Sequence, residues 1–126
     1  MTTEDRISNR VILAAIEVHR TLGPGLLESA YEGCLGHELR LQGLKFERQI
    51  SLPVIYKGLE LDCVYRLDLI VEEKIILELK TVKAFEPIHE AQLLTYLRLT
   101  GLKLGMLLNF NVPLMKDGIK RIVNGL

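Results

Sequence analysis

The sequence has little that would place it in a membrane or in an oxidising compartment. It contains only two cysteines, Cys34 and Cys63, both in apolar contexts, and no signal-peptide pattern precedes them. No apolar run reaches the roughly 18–20 residues that a membrane span needs. Two cysteines in such a setting favour reduced, inert core residues and a cytoplasmic location, with no membrane partner.

An excess of charge of either sign is also missing, since 16 Lys and Arg balance 16 Asp and Glu. That balance argues against a large basic platform for duplex nucleic acid, although it allows a local basic patch. The chain has 126 residues, without repeats, low-complexity segments or a long linker. We therefore expect one domain over residues 1–126, and its small size predicts self-association as a homodimer.

Apolar periodicity and breaker residues divide the chain into helices and strands. Helices are predicted over residues 2–22, 26–42 and 88–100, and strands over 45–50, 52–56, 59–71, 74–82, 103–110 and 119–123. Pro53 separates the first two strands and suits a sheet edge. The strands on either side of the third helix form a β-α-β crossover and should be parallel. The sequence thus predicts an α/β fold with a mixed β-sheet, made of a meander plus this crossover and flanked by helices.

Charged side chains interrupt the apolar hairpin from Arg66 to Lys80. A three-residue turn at 72–74 pairs Asp68 with Glu78, with Cβ atoms about 4.5–5.5 Å apart, and pairs Arg66 with Lys80. Alternation puts Arg66 and Asp68 on one face, and Glu78 and Lys80 on one face. Two buried carboxylates so placed need a cation between them, because burial and repulsion both raise their pKa values. A divalent metal and the neighbouring Lys80 and Arg66 side chains are both candidates.

Other residues admit both a functional and a structural interpretation. Arg66 could contact a phosphate or simply neutralise the acids. His19 and His89 could border a site, although a lone helix histidine is commonly a surface or core residue. Tyr31 and Tyr96 could stack on a nucleobase, but their helical spacing also suits core packing.

The order of these features resembles the PD-(D/E)XK nuclease superfamily. Asp68 is followed after nine residues by the triplet 78–80 (ELK), with a helix carrying Glu28 before it and one carrying Gln92 after it. Residues 25–31 (GLLESAY) also fit the pattern GxxExxY, which names a small family of uncharacterised proteins assigned to this superfamily. The segments that look like that family also include 16–20 (IEVHR), 22–25 (LGPG) and 92–97 (QLLTYL).

The resemblance implies a restriction-endonuclease-like core over residues 26–110, with an extra N-terminal helix. By position it makes Asp68, Glu78 and the Leu79 carbonyl ligands of Mg²⁺ or Mn²⁺. It also implies that Lys80 orients or activates the attacking water. The sequence departs from the pattern in one place, where Leu67 replaces the proline that names the motif.

Two further site residues follow from the same resemblance. Glu28 matches the first-helix acid that many members place near the metal, although a carboxylate in a first helical turn is also favoured by the helix dipole. Gln92 matches a polar residue of the following helix that often borders the site.

Two functions are compatible with this sequence. The first is a metal-dependent nuclease that hydrolyses phosphodiester bonds in DNA or RNA. The second is a catalytically silent module that binds nucleic acid or protein and retains the nuclease fold. The small size and neutral charge, which leave little surface for a nucleic acid, favour the second.

Overall fold

A computed structural model describes the backbone of residues 1–126 and every side chain except that of Cys63. The helices are α1 (Thr3–Leu22), α2 (Glu28–Leu41) and α3 (Pro87–Thr100), with a 3-10 helix at Met115–Gly118; the strands are β1 (Phe46–Tyr56), β2 (Leu59–Val71), β3 (Ile75–Lys80), β4 (Leu104–Asn109) and β5 (Ile119–Val123). They form a sheet of order β1-β2-β3-β4-β5, antiparallel except for the parallel β3–β4 pair. The predicted α/β fold with a mixed sheet, a meander and a crossover is confirmed.

Local sequence signals account for the ends of the helices. Thr2 and Asp5 form a capping box, in which each side chain accepts a hydrogen bond from the other residue's backbone N–H. Gly23 follows α1 with a φ of 69°, and Gly101 follows α3 with a φ of 75°, both in the left-handed region that glycine tolerates. These stops lie within a residue of the predicted helix ends.

Strand β1 corrects one sequence-based expectation. The predicted break at Pro53 does not occur, because Phe46–Tyr56 is one continuous strand. Pro53 faces Val64 in the register with β2, and the register shifts between Pro53 and Ile55. β1 is an edge strand, as predicted, so the missing N–H of Pro53 is tolerated. The register shift follows directly after the proline.

The sheet lies between two apolar layers. Helices α1 and α2 pack with one set of strand side chains, among them Leu69, Leu77 and Met106. Helix α3 packs on the opposite face against Leu67, Ile76 and Leu107. Because both faces of β3 and β4 are covered, these two strands are almost continuously buried.

The predicted side-chain alternation fails in the middle of the β1–β2 hairpin. Leu67 packs with the α3 layer, whereas Leu69, two residues later, packs with the α1–α2 layer. On β1, Phe46 packs with the α1–α2 layer and Ile50 with the α3 layer, so the alternation shifts there too. The simple alternation expected along β2 is therefore interrupted at Asp68, where the hairpin passes from one layer to the other.

Two remaining expectations concern cysteine and membranes. Cys34 is half-buried against the α1–α2 layer with a free thiol, in keeping with a core position. The side chain of Cys63, also predicted to be in the core, lies outside the described residues. Within the part of the chain that is described, no helix combines the length and apolarity needed to cross a membrane.

Candidate metal centre

The two predicted carboxylates lie where the central sheet divides. Strands β2 and β3 pair from Val71 opposite Ile75 to Leu69 opposite Leu77, which matches the predicted turn and register. Beyond that point β2 continues along β1, while β3 continues along β4 as far as Lys80, so the predicted pairing of Arg66 with Lys80 is not formed. Asp68 and Glu78 are the next residues on the two strands, so they stand at the branch.

At the branch, side-chain oxygens take over the hydrogen bonds between the strands. The Asp68 N–H donates to Oε2 of Glu78 at 2.8 Å, and the Leu79 N–H donates to Oδ2 of Asp68 at 2.8 Å. Since the N–H and C=O of a strand residue point to the same side, the Leu79 carbonyl faces the same gap. Each acid thereby keeps a second carboxylate oxygen that is not used to hold the opposite strand.

Burial and mutual repulsion raise the pKa values of both acids. Glu78 is 6% exposed, and desolvation, followed by the charge of Asp68, raises its pKa to about 8. Desolvation is also the main cause of the raised pKa of Asp68, opposed in part by the Leu79 N–H. The charges of Glu32 and Glu28 raise the pKa of Asp68 further, whereas that of Lys80 lowers it. The pair is therefore costly to ionise without an additional cation.

The donor set fits a hard divalent cation. Two carboxylates and a backbone carbonyl are oxygen ligands of the kind that Mg²⁺ prefers, and Mg²⁺ commonly uses only one or two carboxylates with water completing its shell. A cation between Asp68 and Glu78 would offset the repulsion that raises their pKa values. Lys80 is half-buried and directly follows the Leu79 carbonyl on β3.

Glu28 lies beside this centre and is held there by the start of α2. Tyr31, fully buried and stacked on Phe110 with ring centroids 4.5 Å apart, donates its hydroxyl to the Gly23 carbonyl at 2.5 Å. That contact ties the loop before α2 to the core, which supports core packing for Tyr31. Glu28 itself is exposed, and its Oε2 accepts from the Thr81 hydroxyl at 3.5 Å.

A second acid of α2 near the centre, Glu32, was not predicted from the sequence. Glu32 is 6% exposed and accepts hydrogen bonds from Arg48 at 2.9 Å and 3.1 Å and from Nε2 of Gln49 at 2.7 Å. Its proximity to the centre is evident because its charge raises the pKa of Asp68. One signal was available, since Glu28 and Glu32 are four residues apart and so share a helix face.

The crossover helix borders the pair on the other side. Tyr96 is 4% exposed in the α3 layer, and the charge of Glu78 contributes to raising its pKa after desolvation. Gln92, one turn earlier, is exposed beside the Tyr96 hydroxyl. The ring of Tyr65 lies 6.1 Å from that of Tyr96, at an interplanar angle of 53°. Core packing explains Tyr96, and Gln92 lies beside it at the surface of α3.

Other candidates have structural partners or lie apart. His19 is buried with Nε2 2.7 Å from the Val112 carbonyl, and Nδ1 of His89 accepts from the Glu86 N–H at the start of α3. Arg66 is exposed on β2. Among the described side chains, no three His, Cys, Asp or Glu residues converge in a metal-holding geometry. Of the predicted acids, Glu78 is buried and Asp68 is half-buried, whereas Glu28 is exposed.

A mixed sheet covered by helices on both faces, with opposed carboxylates followed by a lysine at the branch, defines a restriction-endonuclease-like fold. The family model of the PD-(D/E)XK nuclease superfamily matches residues 5–122, and the chain belongs to that superfamily. Membership supports a nuclease-like function, and nucleases of this superfamily generally use divalent metal ions.

A solved structure, the crystal structure of SSO0001, is similar at 25% sequence identity and a TM-score of 0.48. The match covers 78% of this chain and 52% of SSO0001, so the chain spans about half the length of that protein. No curated protein matches the sequence.

Proposed function

We propose that this protein is a divalent-metal-dependent nuclease of the GxxExxY type, which hydrolyses phosphodiester bonds in DNA or RNA. The observation that supports this most strongly is the Asp68–Glu78 pair. The buried Glu78 and the half-buried Asp68 lie where β2 and β3 part, and each uses one oxygen to hold the other strand. A carboxylate whose pKa is raised to about 8 destabilises the fold when it ionises, unless a cation balances its charge.

In this proposal Asp68, Glu78 and the Leu79 carbonyl hold Mg²⁺ or Mn²⁺. When bound, such a cation polarises a phosphoryl oxygen and lowers the pKa of a coordinated water. Lys80 supplies a compact positive charge that steadies the phosphate and orients the attacking water. Glu28 lies on the rim, where its carboxylate can accept a hydrogen bond from a water.

Gln92 borders the opposite side of the centre, where its amide can hydrogen-bond to substrate. The substrate surface has to be local, because the chain has no net charge. A homodimer would enlarge that surface, and we propose one because the surface of a single chain is limited. We also propose that the protein acts in the cytoplasm.

Cleavage assays with a matched lysine pair test the activity. Purified protein is incubated with single- and double-stranded DNA and RNA in Mn²⁺ or Mg²⁺, in parallel with Lys80→Ala and Lys83→Ala. Lys83 is an exposed lysine three residues further on, so it controls for loss of one positive charge. We expect Lys80→Ala to lower cleavage at least 100-fold, since transition-state charge stabilisation is typically worth about 10²–10³. Equal cleavage by both variants, or none by the wild type, would refute the nuclease proposal.

A second candidate is a binding module that keeps the fold without turnover. It is favoured by the neutral net charge and by the absence, among described side chains, of a three-residue metal cluster. Calorimetric titration with Mn²⁺ and with short oligonucleotides separates the two. Binding of an oligonucleotide with the same affinity in Asp68→Asn as in the wild type, together with no cleavage by either, would establish the module.

A further inference from the structure

Gln49 has a backbone conformation that glutamine rarely adopts. Its φ is 51°, in the left-handed region, although it lies inside the 11-residue strand β1. Holding a non-glycine residue in this region costs about 1–3 kcal/mol, so the conformation persists only where the surrounding contacts impose it. The neighbouring pairs Arg48–Leu69 and Ile50–Leu67 place Gln49 opposite Asp68, although these two residues do not form a ladder pair.

The contacts that impose this conformation come from α2. Nε2 of Gln49 donates to Oε1 of Glu32 at 2.7 Å, while Arg48 donates from Nε and Nη2 to Oε2 at 3.1 Å and 2.9 Å. Glu32 is 6% exposed, so its carboxylate depends on these donors for solvation. Two consecutive strand residues thus reach the same acid, which regular alternation would forbid.

The same position is where both strands of the hairpin change faces. Phe46 and Leu69 pack toward α1 and α2, whereas Ile50 and Leu67 pack toward α3. Asp68 lies at the centre of this change, and its carboxylate accepts a hydrogen bond from the Leu79 N–H of β3. The kink at Gln49 and the direction of the Asp68 side chain are therefore parts of one backbone irregularity.

We propose that Gln49 is a positioning residue for the metal centre, and that its contact with Glu32 holds the hairpin kink that aims Asp68 at Leu79. The part concerning metal affinity rests on the proposed function, whereas the part concerning Asp68 does not. Glu32 and Arg48 complete the anchor, and none of the three is assigned to contact substrate.

The test uses Gln49→Asn. Asparagine tolerates the left-handed region, so the kink remains accessible, but its amide is one methylene too short for Glu32. Gln42→Asn is the matched control, because it shortens a glutamine that donates to the Arg10 carbonyl at 3.1 Å, away from the centre. Amide hydrogen exchange by NMR in metal-free protein reports on the hydrogen bond from Leu79 to Asp68. Mn²⁺ titration and urea unfolding are measured on the same samples.

We expect the Leu79 amide to exchange about tenfold faster in Gln49→Asn, the equivalent of one hydrogen bond to a charged group, and Mn²⁺ to bind about tenfold more weakly. The Met106 amide of β4 should be unchanged in both variants, and Gln42→Asn should alter neither Leu79 exchange nor Mn²⁺ affinity. Glu32→Gln, similar in size but uncharged, should reproduce the Gln49→Asn pattern.

Wild-type Leu79 exchange in either folded variant would overturn the proposal. If Leu79 loosens but the wild type binds no Mn²⁺, the positioning of Asp68 stands and the proposed metal function fails. If the wild type binds Mn²⁺ and Leu79 is unaffected, the positioning role fails and the metal function stands.

Discussion

The raised pKa of Glu78 predicts that the metal-free protein loses stability as the pH rises. The ordinary glutamate pKa is 4.5, and in the folded protein it is raised to about 8. Below pH 4.5 the folded and unfolded chains are both protonated at this position. Between pH 4.5 and about 8 the unfolded chain ionises while the folded chain does not, so the free energy of unfolding falls. Above that range the loss is complete.

The magnitude follows from the size of the shift. Each unit of difference in pKa corresponds to about 1.4 kcal/mol, so the loss between pH 5 and pH 8 amounts to up to about 4 kcal/mol. Asp68 has a pKa shifted in the same direction and adds to the loss. With a urea slope of about 2 kcal/mol/M, the midpoint should fall by about 2 M.

Glu78→Gln isolates this effect. The neutral amide keeps an oxygen that can accept from the Asp68 N–H, and it cannot ionise. In metal-free buffer we expect this variant to match the wild type at pH 5 and to be more stable by several kcal/mol at pH 8. Glu47→Gln, on the exposed side of β1, is the control and should follow the wild type at both pH values.

Metal completes the test, because it should restore stability where the pair is ionised. Mn²⁺ at about 100 times its Kd stabilises a folded protein by about 2.7 kcal/mol. We expect that gain at pH 8, little of it at pH 5, and none in Glu78→Gln. If the free energy of unfolding depends on pH in the same way in the wild type and in Glu78→Gln, the raised pKa of Glu78 is refuted. Equal stabilisation of both by Mn²⁺ would refute a role of Glu78 as a ligand.

Two further substitutions test the fold. A Cβ at Gly105 would lie 2.8 Å from Cδ1 of Leu93, so Gly105→Ala should lower the free energy of unfolding by about 1–3 kcal/mol in a urea titration. Gly33→Ala is its control, since nothing lies within 4 Å of that Cβ, and it should stabilise helix α2 by up to about 1 kcal/mol. Thr2→Ala removes the capping box and should cost about 1 kcal/mol by the same measurement, whereas Thr3→Ala should cost less than half of that.

Local signals predicted much of this fold from the sequence. The signals that succeeded act over only a few residues, so they can be recognised without the rest of the chain. They are the capping box at Thr2, the glycines that follow α1 and α3, and the apolar runs of β3 and β4. The turn at 72–74 fixed the register that opposes Asp68 and Glu78. These parts follow from spacing alone.

The parts that failed depend on contacts between distant segments. The kink at Gln49 needs a buried acid on α2, and glutamine has no intrinsic preference for a left-handed backbone. The alternation along β2 likewise changes because the hairpin passes from one apolar layer to the other at Asp68. A pattern read one strand at a time contains no information about such a change.

The reciprocal bonds at the branch bear on how this protein is best inactivated in the laboratory. Each acid joins the two strands through one oxygen, so alanine at either position would remove a candidate ligand and a fastening of the sheet together. Loss of function in such a variant would not show whether the ligand or the joint between the two strands was responsible. Asp68→Asn keeps an oxygen acceptor for the Leu79 N–H while it removes the charge. The amide variants are therefore the sound knockouts, in cells as well as in the test tube.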